Sequence, residues 1–132
     1  MKIENQVCSL ELAKRLKELG VKQESIWAWC LDRPHRDSWV LWTSRYPETW
    51  EGNERYAAFT AAELGEMLPL LIDVEGTLTS WEGAKDGSGN WETWLEDGKA
   101  HLVGNKIVEK TEADARALML IHLLENKLIT LY

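Results

Sequence analysis

Three residues that can cap helices divide this chain into helical and extended parts. Ser9 precedes an apolar repeat at helical spacing, and Thr60 is followed three residues later by Glu63, which is the pattern of a capping box. Thr111 and Asp114 repeat this spacing near the C-terminus. Because such residues satisfy backbone amides that a helix leaves without partners, each one indicates where a helix begins. We therefore predict three helices, over about residues 10–19, 61–68 and 112–125.

The apolar residues of these helices recur every three or four positions and predict which sides are buried. The first helix ends at Gly20, which suits a left-handed C-terminal position, and Pro69 stops the short second helix. The third helix is the most apolar, so we expect it to pack across the centre of a sheet. The residues expected to be nearly fully buried are Leu12, Leu16, Leu64, Ala117, Leu120, Ile121 and Leu124.

The segments between the helices contain alternating or branched apolar residues and turn-forming pairs, which are typical of strands. The strand candidates are residues 26–31, 38–43, 70–74, 77–81, 91–96, 100–103 and 106–108, and the polar residues 44–55 are expected to form a loop. Gly104-Asn105 is expected to separate the last two strands. We predict an α+β fold in a single domain of residues 1–132. Its antiparallel sheet has about five strands, with three helices packed mainly on one face.

Tryptophan is the outlier of the composition, with eight residues among 132, whereas phenylalanine occurs once. A small domain has difficulty burying eight indoles, because each is large and each N–H needs a partner. Four of them lie on the first two strand candidates, which we expect to pair as a hairpin. Indoles near cationic side chains can stack on a flat ring and hold a phosphate. The predicted ligand-binding residues are Trp27, Trp29, Trp39, Trp42, Arg33, His35, Arg36 and Arg45.

This hypothesis requires at least two partly exposed indoles of the hairpin beside Arg33, Arg36 or Arg45. The other interpretation is a core filled by tryptophan, with a solvated polar turn between the strands. The sequence leaves both interpretations open.

The residue types that most often catalyse reactions or bind metals show no recognisable pattern here. His35, His101 and His122 are far apart and belong to no metal-ligand or triad motif. The two cysteines, Cys8 and Cys30, are expected to be reduced and buried, because the chain lacks a secretion signal. We therefore predict no catalytic residue, no metal site and no cofactor, and we favour a protein that is not an enzyme.

The chain carries a net charge of −7, which disfavours direct binding of nucleic acid because phosphates require a basic patch. The first residues lack the apolar core of a signal peptide, and no apolar run is long enough to cross a bilayer. We expect a cytoplasmic protein that binds neither nucleic acid nor membranes.

Three blocks of the sequence, residues 7–25, 58–65 and 111–129, cover roughly half of the chain and contain the capping residues named above. They resemble a group of small proteins encoded by gut bacteria of the Bacteroides type, their prophages and phages, for which no reaction is established. The resemblance implies a gene of a mobile element, and such genes often counteract host defence. The tryptophan-bearing hairpin between the first two blocks is individual to this chain.

One functional hypothesis and two alternatives follow. The hypothesis is a phage- or prophage-type binding protein, without catalytic activity, that sequesters a nucleotide-like immune signalling molecule. The alternatives are an inhibitor that binds a host defence protein and a small nucleotide hydrolase. Acid–base pairs such as Asp97 with His101 can be drawn for an enzyme, although such pairs arise by chance in an acidic chain. The sequence leaves the ligand, the partner and a homo-oligomeric state open.

Overall fold

The three predicted helices are present in the computed structural model, which describes residues 2–32, 38–43 and 54–131 apart from the side chain of Asp32. They are α1 (Leu10–Glu18), α2 (Ala61–Met67) and α3 (Glu112–Glu125), preceded by a short 3₁₀ turn at Ile3–Asn5. Each helix end lies within one residue of its predicted position. None of the described helices has the length and apolar character that crossing a membrane requires.

The extended segments within the described residues form seven strands in two antiparallel sheets. The strands are β1 (Trp27–Asp32), β2 (Ser38–Thr43), β3 (Arg55–Ala57), β4 (Ile72–Val74), β5 (Thr77–Lys85), β6 (Trp91–Glu96) and β7 (Leu102–Glu109). The first sheet has the order β2-β1-β3, and the second has the order β4-β5-β6-β7. The α+β class is confirmed, but the single sheet of about five strands is not matched, because the hairpin of β1 and β2 pairs with β3 and forms a sheet separate from that of β4–β7.

β3 and β7 differ from the predicted pattern for physical reasons, and β5 continues to Lys85, four residues beyond its predicted end. β3 lies at the end of the polar stretch expected to be a loop, and its Tyr56 pairs with Trp29 of β1. Such a short strand is specified by its partner and not by its own residues. β7 is continuous across Gly104, which has a φ of +79° and lies opposite a register shift between Thr93 and Leu95. The glycine forms a β-bulge that bends the strand without ending it.

The helix caps agree with the sequence, with one difference in α3. Ser9 accepts a hydrogen bond from the Leu12 amide, and Thr60 and Glu63 form the predicted capping box. The Thr111 hydroxyl accepts from the Asp114 amide. The Asp114 carboxylate accepts from the Ser9 amide at 2.8 Å, a contact that the sequence did not predict. The carboxylate therefore joins the start of α3 to the start of α1.

Glu63 makes a similar connection between α2 and the first sheet. Its Oε1 accepts from the Thr60 amide at 2.9 Å and from the Ser25 hydroxyl at 2.8 Å. Its Oε2 accepts from the Ile26 amide at 3.1 Å, directly before β1. One carboxylate thus caps a helix and fixes the entry of the chain into β1.

The buried side chains form one cluster that includes residues of both sheets, and α3 lies at its centre. α3 packs against β6, β7, α1 and α2, as expected for the most apolar helix. Five of the seven predicted core residues are buried, namely Leu16, Leu64, Ala117, Leu120 and Ile121. Leu12 and Leu124 are only partly buried, because they pack at the margin of the cluster.

Candidate functional site

The register of the β1–β2 hairpin divides its four tryptophans between two faces. Residues paired directly across antiparallel strands point to the same side of the sheet. The register places Trp39 on the face that carries Trp27 and Trp29, whereas Trp42 pairs with Ala28 and lies on the opposite face. The four indoles predicted to form one aromatic site are therefore divided, with three on one face of the hairpin and Trp42 on the other.

The described indoles of the hairpin are partly exposed, but Trp29 and Trp39 also stabilise the fold. The Nε1 of Trp29 donates to the Cys8 carbonyl oxygen at 3.0 Å, and its ring packs against the core. The ring centroid of Trp39 lies 5.6 Å from that of Tyr56. The remaining predicted residues, Arg33, His35, Arg36 and Arg45, lie outside the described residues, so the pairing of indoles with these cations stays a prediction.

Two lysines of α1 occupy the cationic positions beside this face. The Nζ of Lys14 lies 5.0 Å from the ring centroid of Trp39, and the Nζ of Lys17 lies 5.1 Å from that of Tyr56. The sequence places both lysines on the polar side of α1, and only the packing of α1 against β3 reveals these contacts. Each cation–π contact contributes about 0.5–1 kcal/mol at an exposed site. A flat ligand on these rings would have to displace the ammonium groups of the chain itself.

The acid–base pair drawn from the sequence caps a loop. The Nδ1 of His101 lies 3.3 Å from Asp97 Oδ2 in the exposed connection between β6 and β7. Asp97 Oδ1 accepts from the amides of His101 and Lys99, and these hydrogen bonds hold the pKa of the carboxyl below its usual value. The aspartate therefore stabilises the turn as an ionised acceptor.

The thiols and the helical histidine occupy positions that suit structural roles. Cys8 and Cys30 are unpaired and buried, as predicted, and burial raises the pKa of the Cys8 thiol to about 12. A thiol with so high a pKa is a poor nucleophile at neutral pH. His122 is exposed on α3 and lies 3.2 Å from the side-chain amide of Asn126. Among the described residues, no group of three or more histidines, cysteines and acids could hold a metal ion.

A groove of about 820 Å³ opens where the first turns of α2 and α3 meet the end of the four-stranded sheet. Lys85 pairs with Trp91, and Trp91 pairs with Glu109, so these three residues form one row across β5, β6 and β7. Lys85 and Trp91 line the groove together with Lys110, which directly follows β7. The groove thus combines one partly buried indole with two exposed ammonium groups.

The first turn of α3 adds backbone donors to this groove. Because the Thr111 hydroxyl accepts from the third amide of the helix, the amides of Glu112 and Ala113 remain without an intrahelical acceptor. Both residues line the groove. Amides and the positive end of a helix attract anions, so they add to the effect of the lysines.

The carboxylates around the groove already have partners. Glu112 pairs with Arg116 at 3.2 Å, and Asp114 accepts from the Ser9 amide. Burial and the nearby charge of Asp114 raise the pKa of Glu109, whereas the charge of Lys110 lowers it. Lys85 and Lys110, by contrast, form no ion pair with any described residue. In a chain with a net charge of −7, this groove is therefore a locally cationic cavity.

The residues of the groove were not selected from the sequence. The strand candidate of residues 77–81 ended before Gly83 and Lys85, and only the register of β5 with β6 shows that they share a face with Trp81. The sequence does not indicate which helix covers that face. Only the docking of α3 brings the row of Lys85 and Trp91 beside a helix start.

Comparison of the chain with protein-family models, curated proteins and solved structures finds no match.

Proposed function

We propose that this chain is a binding protein without catalytic activity that holds a nucleotide-like ligand, a flat ring joined to a phosphate, in this groove. The observation that carries the proposal is the meeting of Trp91, Lys85 and Lys110 in one cavity of about 820 Å³. Ligand pockets typically have volumes of about 300–1,000 Å³. Stacking on an indole contributes about 1–3 kcal/mol, and a hydrogen bond to a charged group contributes about 1.5–3 kcal/mol. Together these contacts are consistent with affinity in about the micromolar range.

Binding without turnover agrees with the chemistry of the groove. Hydrolysis requires a general base or a nucleophile within reach of the scissile bond. Among the described lining residues, Glu112 is the only carboxylate, and it is paired with Arg116. A chain of this kind would sequester its ligand. The resemblance to proteins of mobile elements supports a cytoplasmic role in which the ligand is an immune signalling molecule of the host.

Isothermal titration calorimetry with linear and cyclic adenine and guanine nucleotides tests this proposal. The double variant Lys85→Gln, Lys110→Gln should weaken binding by about tenfold or more, because it removes both ammonium groups. Lys99→Gln is the matched control, since Lys99 lies in the loop at the other end of β6, about 17 Å away along the strand. The absence of binding to the wild-type chain would contradict the proposal. Appearance of a hydrolysis product in the same samples would favour the hydrolase alternative.

A protein partner is the second candidate, and one observation favours it. Ile26, directly before β1, is 62% exposed, and Trp42, on the hairpin face opposite Trp29, is 42% exposed. Large apolar side chains, and tryptophan above all, dominate the energetics of protein interfaces. A second copy of this chain or a host protein would fit this surface. Sedimentation velocity should then show a concentration-dependent dimer that Trp42→Ala abolishes, whereas a monomer at every concentration argues against self-association.

A further inference from the structure

A second, smaller cavity of about 210 Å³ adjoins the groove. Trp91 and Glu112 line both cavities, so the two share a wall. We call the smaller cavity the indole slot. Its floor is formed by Trp81, Gly83, Trp91 and Thr93 of the sheet, and Glu112, Ala115 and Arg116 of α3 cover it.

The indole slot exists because position 83 has no side chain. The inner face of β5 presents Trp81, Gly83 and Lys85 in succession, and Gly83 pairs with Thr93 of β6. A glycine in the interior of a strand weakens that strand and often marks a place where another group approaches closely. Here it leaves space between the indole of Trp81 and the indole of Trp91 on the next strand.

The walls of the indole slot are held in place by contacts within the chain. The hydroxyl of Thr93 donates to the Ala115 carbonyl oxygen at 3.3 Å, which fixes the floor to α3. The guanidinium carbon of Arg116 lies 5.3 Å from the ring centroid of Trp81. Arg116 also donates to the Ala61 carbonyl oxygen at 2.7 Å. A ligand that enters the slot therefore has few side chains to order, which favours binding.

We infer that the indole slot receives the flat heteroaromatic ring of the ligand whose phosphate lies in the groove, an inference that rests on the proposed function. The volume of about 210 Å³ equals the liquid volume of about seven water molecules. It suits a one- or two-ring heterocycle and not a whole nucleotide. Trp91 offers aromatic surface to the ring, whereas the guanidinium of Arg116 covers the ring of Trp81. Glu112 pairs with Arg116 through Oε1, and its Oε2 retains acceptor capacity for a ring N–H. The phosphate then lies beside Lys85 and Lys110.

A substitution at Gly83 that fills the indole slot with a side chain tests the inference. A Cβ at Gly83 would lie 3.5 Å from the Glu92 carbonyl oxygen, 3.7 Å from Thr93 Cγ2 and 3.8 Å from Trp81 Cζ3, which are ordinary contacts. Gly83→Val therefore suits the strand and places its methyl groups in the cavity. Ala84→Val is the matched control, since it adds methyl groups at the neighbouring position on the exposed face of β5. Gly83→Ala is a milder variant in case the valine variant fails to fold.

The probes are ATP, GTP and inorganic tripolyphosphate, with thermal melting as the check of folding. We expect Gly83→Val to weaken binding of the nucleotides by about tenfold or more, while its affinity for tripolyphosphate stays within about twofold of wild type. Ala84→Val should bind all probes as the wild type does. If folded Gly83→Val binds the nucleotides as tightly as the wild type does, the indole slot does not receive the ring. The same conclusion follows if the wild type binds tripolyphosphate as tightly as both nucleotides. Neither result contradicts binding of the phosphate in the groove. A wild-type chain that binds no probe overturns the groove and the slot together.

Discussion

Two hairpin loops of the second sheet share one hydrogen-bond pattern but differ at the residue with positive φ. In each loop, residues 86–90 and residues 97–101, the first residue is an aspartate whose Oδ1 accepts from the amides two and four positions later. The fourth position is Gly89 in one loop, with a φ of +87°, and Ala100 in the other, with a φ of +62°. The pair therefore isolates the cost of a Cβ in the left-handed region.

We predict that Ala100→Gly stabilises the protein and that Gly89→Ala destabilises it by a similar amount. A residue with a Cβ in the left-handed region costs about 1–2 kcal/mol relative to glycine. A glycine also stabilises the unfolded chain by about 0.4–1 kcal/mol, because it has more conformational freedom there, and this offsets part of the gain. The net change is about 0.5–1 kcal/mol in each direction. At Gly89 a Cβ would meet no atom within 4 Å, so only the backbone contributes.

Urea denaturation followed by circular dichroism measures both changes. The midpoint should move up for Ala100→Gly and down for Gly89→Ala, with an unchanged dependence on urea, because the surface exposed on unfolding stays the same. Gly98→Ala is the control, since Gly98 lies in the same loop as Ala100 but has no positive φ and no atom within 4 Å of a new Cβ. A lower midpoint for Ala100→Gly, or shifts of the same sign at both positions, would refute the reasoning.

Three further predictions concern the core, one helix contact and the response to acid. Leu120→Ala should lower the free energy of unfolding by about 2–5 kcal/mol, because its side chain is fully buried, and an unchanged thermal melt would contradict this. Gly65→Ala should fail to give the gain of about 1 kcal/mol usual in a helix, because its Cβ would lie 2.6 Å from Arg116 Nη1. The gain should return in an Arg116→Met background, and equal effects in both backgrounds would argue against the contact. Asp97→Asn should lower the free energy of unfolding above pH 3.8, because the ionised carboxylate is the better acceptor for the loop amides. The difference between the two proteins should disappear as the pH falls through the lowered pKa of Asp97. Acid titration of the wild type and the variant measures this, and a difference that persists at low pH would contradict the prediction.

The sequence by itself determined the helices, because the signals that begin and end them are local. Ser9 and Thr60 each accept from an amide three residues away, and Gly20 adopts the φ of +91° that ends α1. The two-residue turn Glu75-Gly76 is equally local, with φ values of +50° and +88° that suit a tight hairpin. Such interactions require nothing from the remainder of the chain.

Tertiary structure alone decided how many sheets form and where a ligand has room. β3 is a strand only because β1 accepts it as a partner. Asp114 lies in the first turn of α3, but its carboxylate accepts from the Ser9 amide at the start of α1. The groove joins Lys85 and Trp91, paired across two strands, to the first turn of a helix that begins at Glu112. Periodicity states which side of an element is apolar, but it does not state which element packs against that side. For this reason the hairpin tryptophans could be selected from the sequence, whereas the cavity beside Trp91 appeared only when α3 was in place.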